Sequence, residues 1–489
     1  MSSRKSKVIS LSLAQGMLMV VSLVSGMIFS RKLTINDYGT YLQTFLAYDF
    51  AVPILTLGLP SALFYFLPRS KERQKGIVLD NILLLLFAAV IFSIFLIGGG
   101  TELLAKRFNN PDLSITLRWM TFYPLYTFPV LMASAVWVSK EKVKLNALYN
   151  VFTGLLLAIS LIVSVLMTRS YSAPIMVRII LPLIYLPITL YLIFKYVPGD
   201  WNKPNLISMW QMAKFAIPLG LATVIGTLTN QLSSLIVSLM TTTQEYAIYA
   251  TGAKEVPFIG LITGSISVVI MAEMSQYCKE KDFGAALDLF RKSAVMSASF
   301  LLPLMVFLFL FADSFIEVLY SKKYLESSLP FRIYLLYLPV RIIFYGPALI
   351  ALGRSKAILY RTLVDFLITG ILSYFLVWKF GAFGAAAAPI ISAFAWGIPY
   401  NINSISKGFK CKSHSLIPFV RLGHIMLISL IAGSISACIL YFKAPSFLIL
   451  LLGSSIFFFI YCLLSYRYIP EFRELIIPYI NKINAIKHK

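Results

Sequence analysis

The chain is 489 residues long, 59% hydrophobic and only 13% charged, with a mean hydropathy of +0.82. A string of soluble domains would carry about twice that share of charge, so this class is excluded. The formal charge of +23 raises nucleic-acid binding. However, the basic residues lie in short breaks between apolar runs, as the positive-inside rule expects of a membrane protein, and nucleic acid is excluded as a partner.

Apolar runs of about 20 residues recur along the whole chain. They fall near 8–29, 41–67, 78–99, 117–138, 148–167, 172–194, 213–239, 248–272, 293–312, 329–352, 358–378, 383–403, 419–441 and 445–465. The predicted fold class is an all-α polytopic membrane protein with about 14 transmembrane helices. Arg4, Lys5 and Lys7 precede the first run and Arg31 and Lys32 follow it, with no small-residue cleavage site, so it is read as a span and not as a signal. With the N-terminus inside, the inner segments hold more than twice as many Lys and Arg as the outer ones, which places both termini in the cytoplasm. In that count Arg178 belongs to the outer segments, and only Lys254 and Arg341 fall within spans.

Cys278, Cys411, Cys438 and Cys462 show no CxxC or metal-ligand spacing. His414, His424 and His488 are scattered near inner ends. Neither a bound metal nor a cofactor is expected.

The eighth run, YAIYATGAKEVPFIGLITGSISVVIMAEM over Tyr246–Met274, is the unusual one. It carries Lys254 and Glu255 inside an apolar stretch, with Pro257 just after. A charge there costs at least about 2.5–3.5 kcal/mol on insertion scales, and proline removes a helix hydrogen bond and kinks the helix. Such a span is expected to face protein or water, and is read as lining a polar cavity. The alternative is that Lys254 snorkels to the interface with Glu255 as its neighbour. Many other spans contain proline, which bends membrane helices where neighbours satisfy the freed carbonyls.

An internal repeat divides the chain. SRKLTINDYGTYLQ (Ser30–Gln43) matches SLMTTTQEYAIYAT (Ser238–Thr251) at an offset of 208 residues. Ser30 meets Ser238, Thr34 meets Thr242, Asp37 meets Glu245, Tyr38 meets Tyr246 and Tyr41 meets Tyr249. Six spans separate the copies, so the two lobes share one orientation, a parallel repeat about an axis along the membrane normal.

SRKLTINDYGTYLQTFLA, then LGLPSALFYFLPR (Leu57–Arg69), resembles the start of bacterial polysaccharide-export proteins. These are O-antigen-type lipid-linked oligosaccharide flippases of the multidrug/oligosaccharidyl-lipid/polysaccharide exporter superfamily. Pro218–Met240 and YATGAKEVPFIG resemble the start of the second lobe in that superfamily. The resemblance implies two six-helix lobes around a central cavity, residues 1–200 and 201–412, with two further helices and a cytoplasmic tail over 413–489. It implies alternating access in a bacterial inner membrane. The substrate would be a polyprenyl-diphosphate-linked oligosaccharide carried from the inner to the outer leaflet. Proton or sodium coupling and other polysaccharide-assembly proteins are partners it leaves open. Where many relatives carry an acid in span seven this chain has Thr229-Asn230-Gln231, so no ion-coupling role transfers to that span.

A diphosphate is strongly anionic, and cationic side chains must offset its desolvation. By the motif, Arg31 sits at the outer end of span one, Arg69 at the inner end of span two and Lys254 in span eight. Arg341 lies near mid-membrane in span ten by helix rise. These four are the candidate substrate-binding residues. Arg69 doubles as a topology determinant, and Arg341 as a lock between helices. Asp49 and Glu255 are the candidate gating or ion-coupling residues. The repeat places Lys254 opposite Leu46, three residues from Asp49, so Asp49 and Lys254 are expected to meet when the outer mouth closes. The alternative is that each pairs within its own lobe. Asp365, four residues after Arg361, is read as an i,i+4 ion pair. Trp119, Tyr123, Tyr126, Tyr185 and Tyr345 are candidates for stacking on sugars, against ordinary packing.

Two other functions compete. An enzyme acting on polyprenyl-linked sugars needs acids or bases gathered at a cavity mouth, and the outer breaks are short and lack histidine. A drug/cation antiporter of the same superfamily would favour carboxylates and aromatic faces, whereas this chain adds Lys254 and Arg341. Whether the glycan is O-antigen, wall-teichoic or capsular is left open.

Overall fold

The computed structural model describes residues 2–70, 72–199, 201–256 and 259–473. Its regular elements are helices throughout. Among the described residues 10 helices are long and apolar enough to cross a bilayer, or 12 when each of two bent pairs counts as one span. Helices Ser2–Lys32 and Ile259–Glu280, of 31 and 22 residues, stand at the first and eighth expected spans. At 1.5 Å per residue both exceed the roughly 30 Å of hydrocarbon. Each of the expected apolar runs therefore contains helix.

Helix starts follow from short polar side chains. Thr34 Oγ1 accepts from the Asp37 N–H at 3.0 Å and opens Ile35–Thr56. At the repeat-related site Thr242 and Glu245 form a reciprocal capping box: Thr242 Oγ1 accepts from the Glu245 N–H, and the Glu245 carboxylate accepts from the Thr242 N–H at 2.9 Å. Asn205 caps Leu206–Met240, accepting from the Ile207 and Ser208 N–H groups.

Breaks follow from glycine and proline. Span two bends after Thr56, where Leu57 and Gly58 both take left-handed backbone, and restarts at Leu59 with Pro60 in its first turn. Span four is Asp112–Trp119 plus Tyr123–Ser139, bent by 40°; span ten is Lys322–Leu335 plus Leu338–Ala351, bent by 41°. Pro124 and Pro339 stand in the first turn after each bend, where a missing N–H costs least.

The chain forms two compact units, Met1–Ala250 with Val377–Ala382, and Thr251–Leu376 with Phe383–Lys489. In the first, helix Ile35–Arg69 runs against Leu206–Met240. Gly39 lies where a Cβ would stand 2.5 Å from the Thr243 carbonyl oxygen, and Gly58 where one would stand 2.8 Å from Gly220 Cα. No larger residue fits either crossing. Between them is a buried polar knot: Gln43 Nε2 donates to Ser238 Oγ at 3.0 Å, and Asn110 Nδ2 donates to Gln43 Oε1 at 2.7 Å and to Thr40 Oγ1 at 3.0 Å.

The same unit has a second clamp. Asp80, fully buried, pairs with Arg73 at 2.7 Å and accepts from the Asn205 N–H at 3.0 Å. Arg73 also donates to the Lys203 carbonyl at 2.9 Å. The linker that leads into Leu206–Met240 is thus tied to the start of helix Gln74–Phe95.

The second unit packs Ile270, Met274, Phe290, Phe344, Ala348, Leu349, Ile405 and Phe409 into one core. Its two C-terminal helices, Phe419–Ala437 and Ser446–Tyr468, lie on Phe283–Leu310; Phe457 meets Phe307 at 5.4 Å, and Tyr461 donates to the Ser299 carbonyl at 2.8 Å. Arg291 Nε donates to the Ser415 carbonyl at 2.8 Å and so ties down the linker before those helices.

Candidate functional site

The eighth span is not one helix through its charges. Helix Thr243–Gly252 ends, residues 253–256 are non-helical, and Ile259–Glu280 begins the next helix. The expectation that Lys254 and Glu255 lie inside a helical span is corrected: they lie in the break. Proline disfavours helix at the residue before it, and Val256 precedes Pro257, which itself lies outside the described residues. Arg341 stands at a second break, as the last residue of the short helix Leu338–Arg341, before Phe344 caps Tyr345–Ala351.

These two breaks meet within the second unit. Arg341 Nη2 donates to Glu255 Oε2 at 3.1 Å, and its guanidinium lies 5.6 Å from the Tyr337 ring. Lys254, Glu255, Val256, Tyr334, Tyr337 and Arg341 line a small open cleft. The Lys254 ammonium makes no ion pair among the described residues; the neighbouring carboxylate has gone to Arg341.

In the first unit, Asp49 pairs with Arg178 at 4.0 Å. Arg178 lies within helix Ser172–Lys195, six residues or about 9 Å past its start. Like Lys254 and Arg341, it is a cation enclosed by an apolar run. Its guanidinium sits 3.7 Å over the Phe45 ring, and Nη1 donates to the Tyr41 hydroxyl at 3.2 Å. The signal was available: the apolar run 172–194 already encloses position 178. The expected opposition of Asp49 to Lys254 concerns residues of different units; within its own unit the partner of Asp49 is Arg178.

Arg69 is exposed, donates to the Tyr65 carbonyl at 3.0 Å and lies 3.8 Å over the Tyr65 ring. Arg31 is exposed and donates to the Met27 carbonyl at 3.2 Å. Both belong to the first unit, and the cleft residues to the second. Several of the sugar-stacking candidates are packed: Tyr123 is buried against Tyr48 with ring centroids 4.7 Å apart, Tyr126 donates to the Ile179 carbonyl at 2.6 Å, and Tyr345 is buried.

Together, the apolar helices and their proline-bent spans define a multi-pass membrane protein. A family model described as "Polysaccharide biosynthesis protein" matches residues 28–329, more than half of the chain, and the chain belongs to that family. No curated protein matches the sequence. Among solved structures the chain is similar to a lipid II flippase MurJ in an inward closed conformation, with TM-score 0.72 and 18% identity over 96% of this chain and 100% of that one. It is also similar to a MOP superfamily transporter from Pyrococcus furiosus, with TM-score 0.57 and 12% identity over 84% of this chain and 96% of the other. The MATE multidrug transporter DinF-BH gives TM-score 0.57 and 15% identity, with 83% and 97% covered. At these identities the likeness is one of fold.

Proposed function

We propose that the protein is a flippase that moves a polyprenyl-diphosphate-linked oligosaccharide from the inner to the outer leaflet of a bacterial inner membrane by alternating access. Residues 1–200 and 201–412 serve as its lobes, 413–489 adds two helices, and both termini are cytoplasmic. The observation that carries this reading is the cleft of Lys254, Glu255 and Arg341. It offers two cations to an anionic headgroup, one without an ion-pair partner among the described residues and one held by a carboxylate that the headgroup would replace. The MurJ-like fold and the polysaccharide-biosynthesis family support the same substrate class.

The MATE likeness favours a second reading, a drug/cation antiporter. A site for an organic cation needs an available carboxylate. Here Asp49 and Glu255 are each paired with an arginine, which favours the anionic substrate.

Reconstitution tests the proposal. Vesicles containing the protein should move a fluorescent lipid-diphosphate oligosaccharide between leaflets, with and without proton and sodium gradients. Movement no faster than in empty vesicles would sink it, and movement of organic cations alone would install the antiporter. Orientation is read separately: impermeant maleimide should reach Cys278 and Cys411 only from the inner face.

A further inference from the structure

Spans eleven and twelve hold a feature that the diphosphate cleft does not use. Helix Ser355–Phe380 carries Arg361 and Asp365, which form the expected ion pair at 2.9 Å. Ser392 Oγ, from the twelfth span, donates to the other Asp365 oxygen at 3.2 Å. Immediately after Ser392 the twelfth span makes a π-turn over Ala393–Gly397. Such wide turns are frequent at functional sites. Gly397 faces the ion pair without a side chain between, since a Cβ there would lie 3.6 Å from both Arg361 Nη1 and Asp365 Oδ1.

Beside that polar edge stand three aromatic rings. Trp396 and Tyr400 stack with centroids 5.1 Å apart and planes 27° apart. Tyr360 closes the group, 5.6 Å from Tyr400 and 6.0 Å from Trp396. Trp396 and Tyr400 are half-buried, while Tyr360 is 53% exposed. The Trp396 Nε1–H is buried and has no acceptor among the described residues. Buried donors are nearly always paired, because an unmade bond costs about 1–3 kcal/mol.

A lipid-facing aromatic belt does not explain this group. Asp365 lies ten residues past the start of helix Ser355–Phe380, about 15 Å by helix rise, and a carboxylate at that depth is costly against hydrocarbon, so its face turns toward protein or water. An organic cation would suit the rings, but Arg361 beside them repels it. A pyranose suits all of it. Its C–H face lies on aromatic rings, and its rim of hydroxyls needs fixed donors and acceptors, which the part-exposed Arg361–Asp365 pair supplies.

We propose that Tyr360, Trp396 and Tyr400, edged by the Arg361–Asp365 pair, form a sugar-binding subsite that takes one pyranose ring of the substrate glycan. The proposal rests on the flippase reading and adds to it the place where the glycan, as distinct from the diphosphate, is held.

Affinities of the purified protein for bare undecaprenyl diphosphate and for the same lipid carrying a hexose, an N-acetylhexosamine or a hexuronic acid decide the matter. At least one glycosylated lipid should bind about tenfold tighter than the bare one. Trp396→Ala and Tyr400→Ala should erase that difference and leave the bare-lipid affinity unchanged, while Trp396→Phe should keep most of it. Equal binding of all four lipids by the wild type overturns the subsite and leaves the flippase reading standing; binding of none overturns both. Alanine variants that weaken bare and glycosylated lipids alike also overturn it. If those variants fail to fold, the wild-type comparison and Trp396→Phe decide alone.

Discussion

Arg341 Nη2 donates to Glu255 Oε2 at 3.1 Å, and each residue stands just beyond the end of a helical segment or at its last position. The two breaks release backbone that a continuous helix would have used, and the ion pair joins them. Both side chains are part-exposed, at 42% and 36%, so solvent screening keeps the pair weak enough for an anion to displace the carboxylate.

If Glu255 holds the place of the substrate diphosphate, removing its charge should help binding and hinder release. Glu255→Gln should bind bare polyprenyl diphosphate about tenfold tighter than wild type and transport it more slowly. Arg341→Ala should bind it about 10- to 100-fold more weakly, the range of a lost charge-assisted hydrogen bond. Titration calorimetry in detergent reads both. Weaker binding by Glu255→Gln would mean that the carboxylate only positions Arg341.

The first unit carries a parallel arrangement in Asp49 and Arg178. Arg178→Ala alone leaves Asp49 without its partner, so loss of transport in that variant would be ambiguous. The double variant Asp49→Ala with Arg178→Ala separates the roles. It should unfold at the wild-type temperature yet move lipid-diphosphate oligosaccharide at less than a tenth of the wild-type rate. A double variant with normal transport would reduce the pair to a structural one.

Asp80 and Asp288 are 208 residues apart, the offset of the repeat, but their surroundings differ. Asp80 has no exposed surface and holds Arg73 and the Asn205 N–H, whereas the Asp288 side chain is 80% exposed and lies 3.6 Å from Arg291. Asp80→Ala should destabilise the protein by about 3 kcal/mol, the low end for breaking a buried pair, because Arg73 is partly exposed. Asp288→Ala should change little, as exposed pairs do. Comparing thermal unfolding of the two variants in detergent checks this; equal shifts would show that the linker clamp contributes nothing.

Much of the architecture was legible without coordinates. Apolar runs near 20 residues mark membrane helices because the hydrocarbon offers no other partner for backbone polar groups. The repeat was legible for a local reason: Thr34 with Asp37, and Thr242 with Glu245, cap helices across three residues, so their spacing survives in the chain. The Arg361–Asp365 pair was legible likewise, since i,i+4 neighbours share a helix face.

What the tertiary structure decided is partnership across distant sequence. Glu255 and Arg341 are 86 residues apart, and Arg73 reaches a carbonyl 130 residues away. The repeat itself hid one difference: Thr44–Leu46 continue a helix while Gly252–Lys254 end one, so Lys254 falls in a break where its counterpart Leu46 is packed core. Tyr360, Trp396 and Tyr400 drew no notice in a chain that is 14% aromatic. Their meeting depends on how two helices pack and on a π-turn that shifts the register of the second. Local patterns report what a residue does within its own helix; which residues from separate helices share a site is settled only by packing.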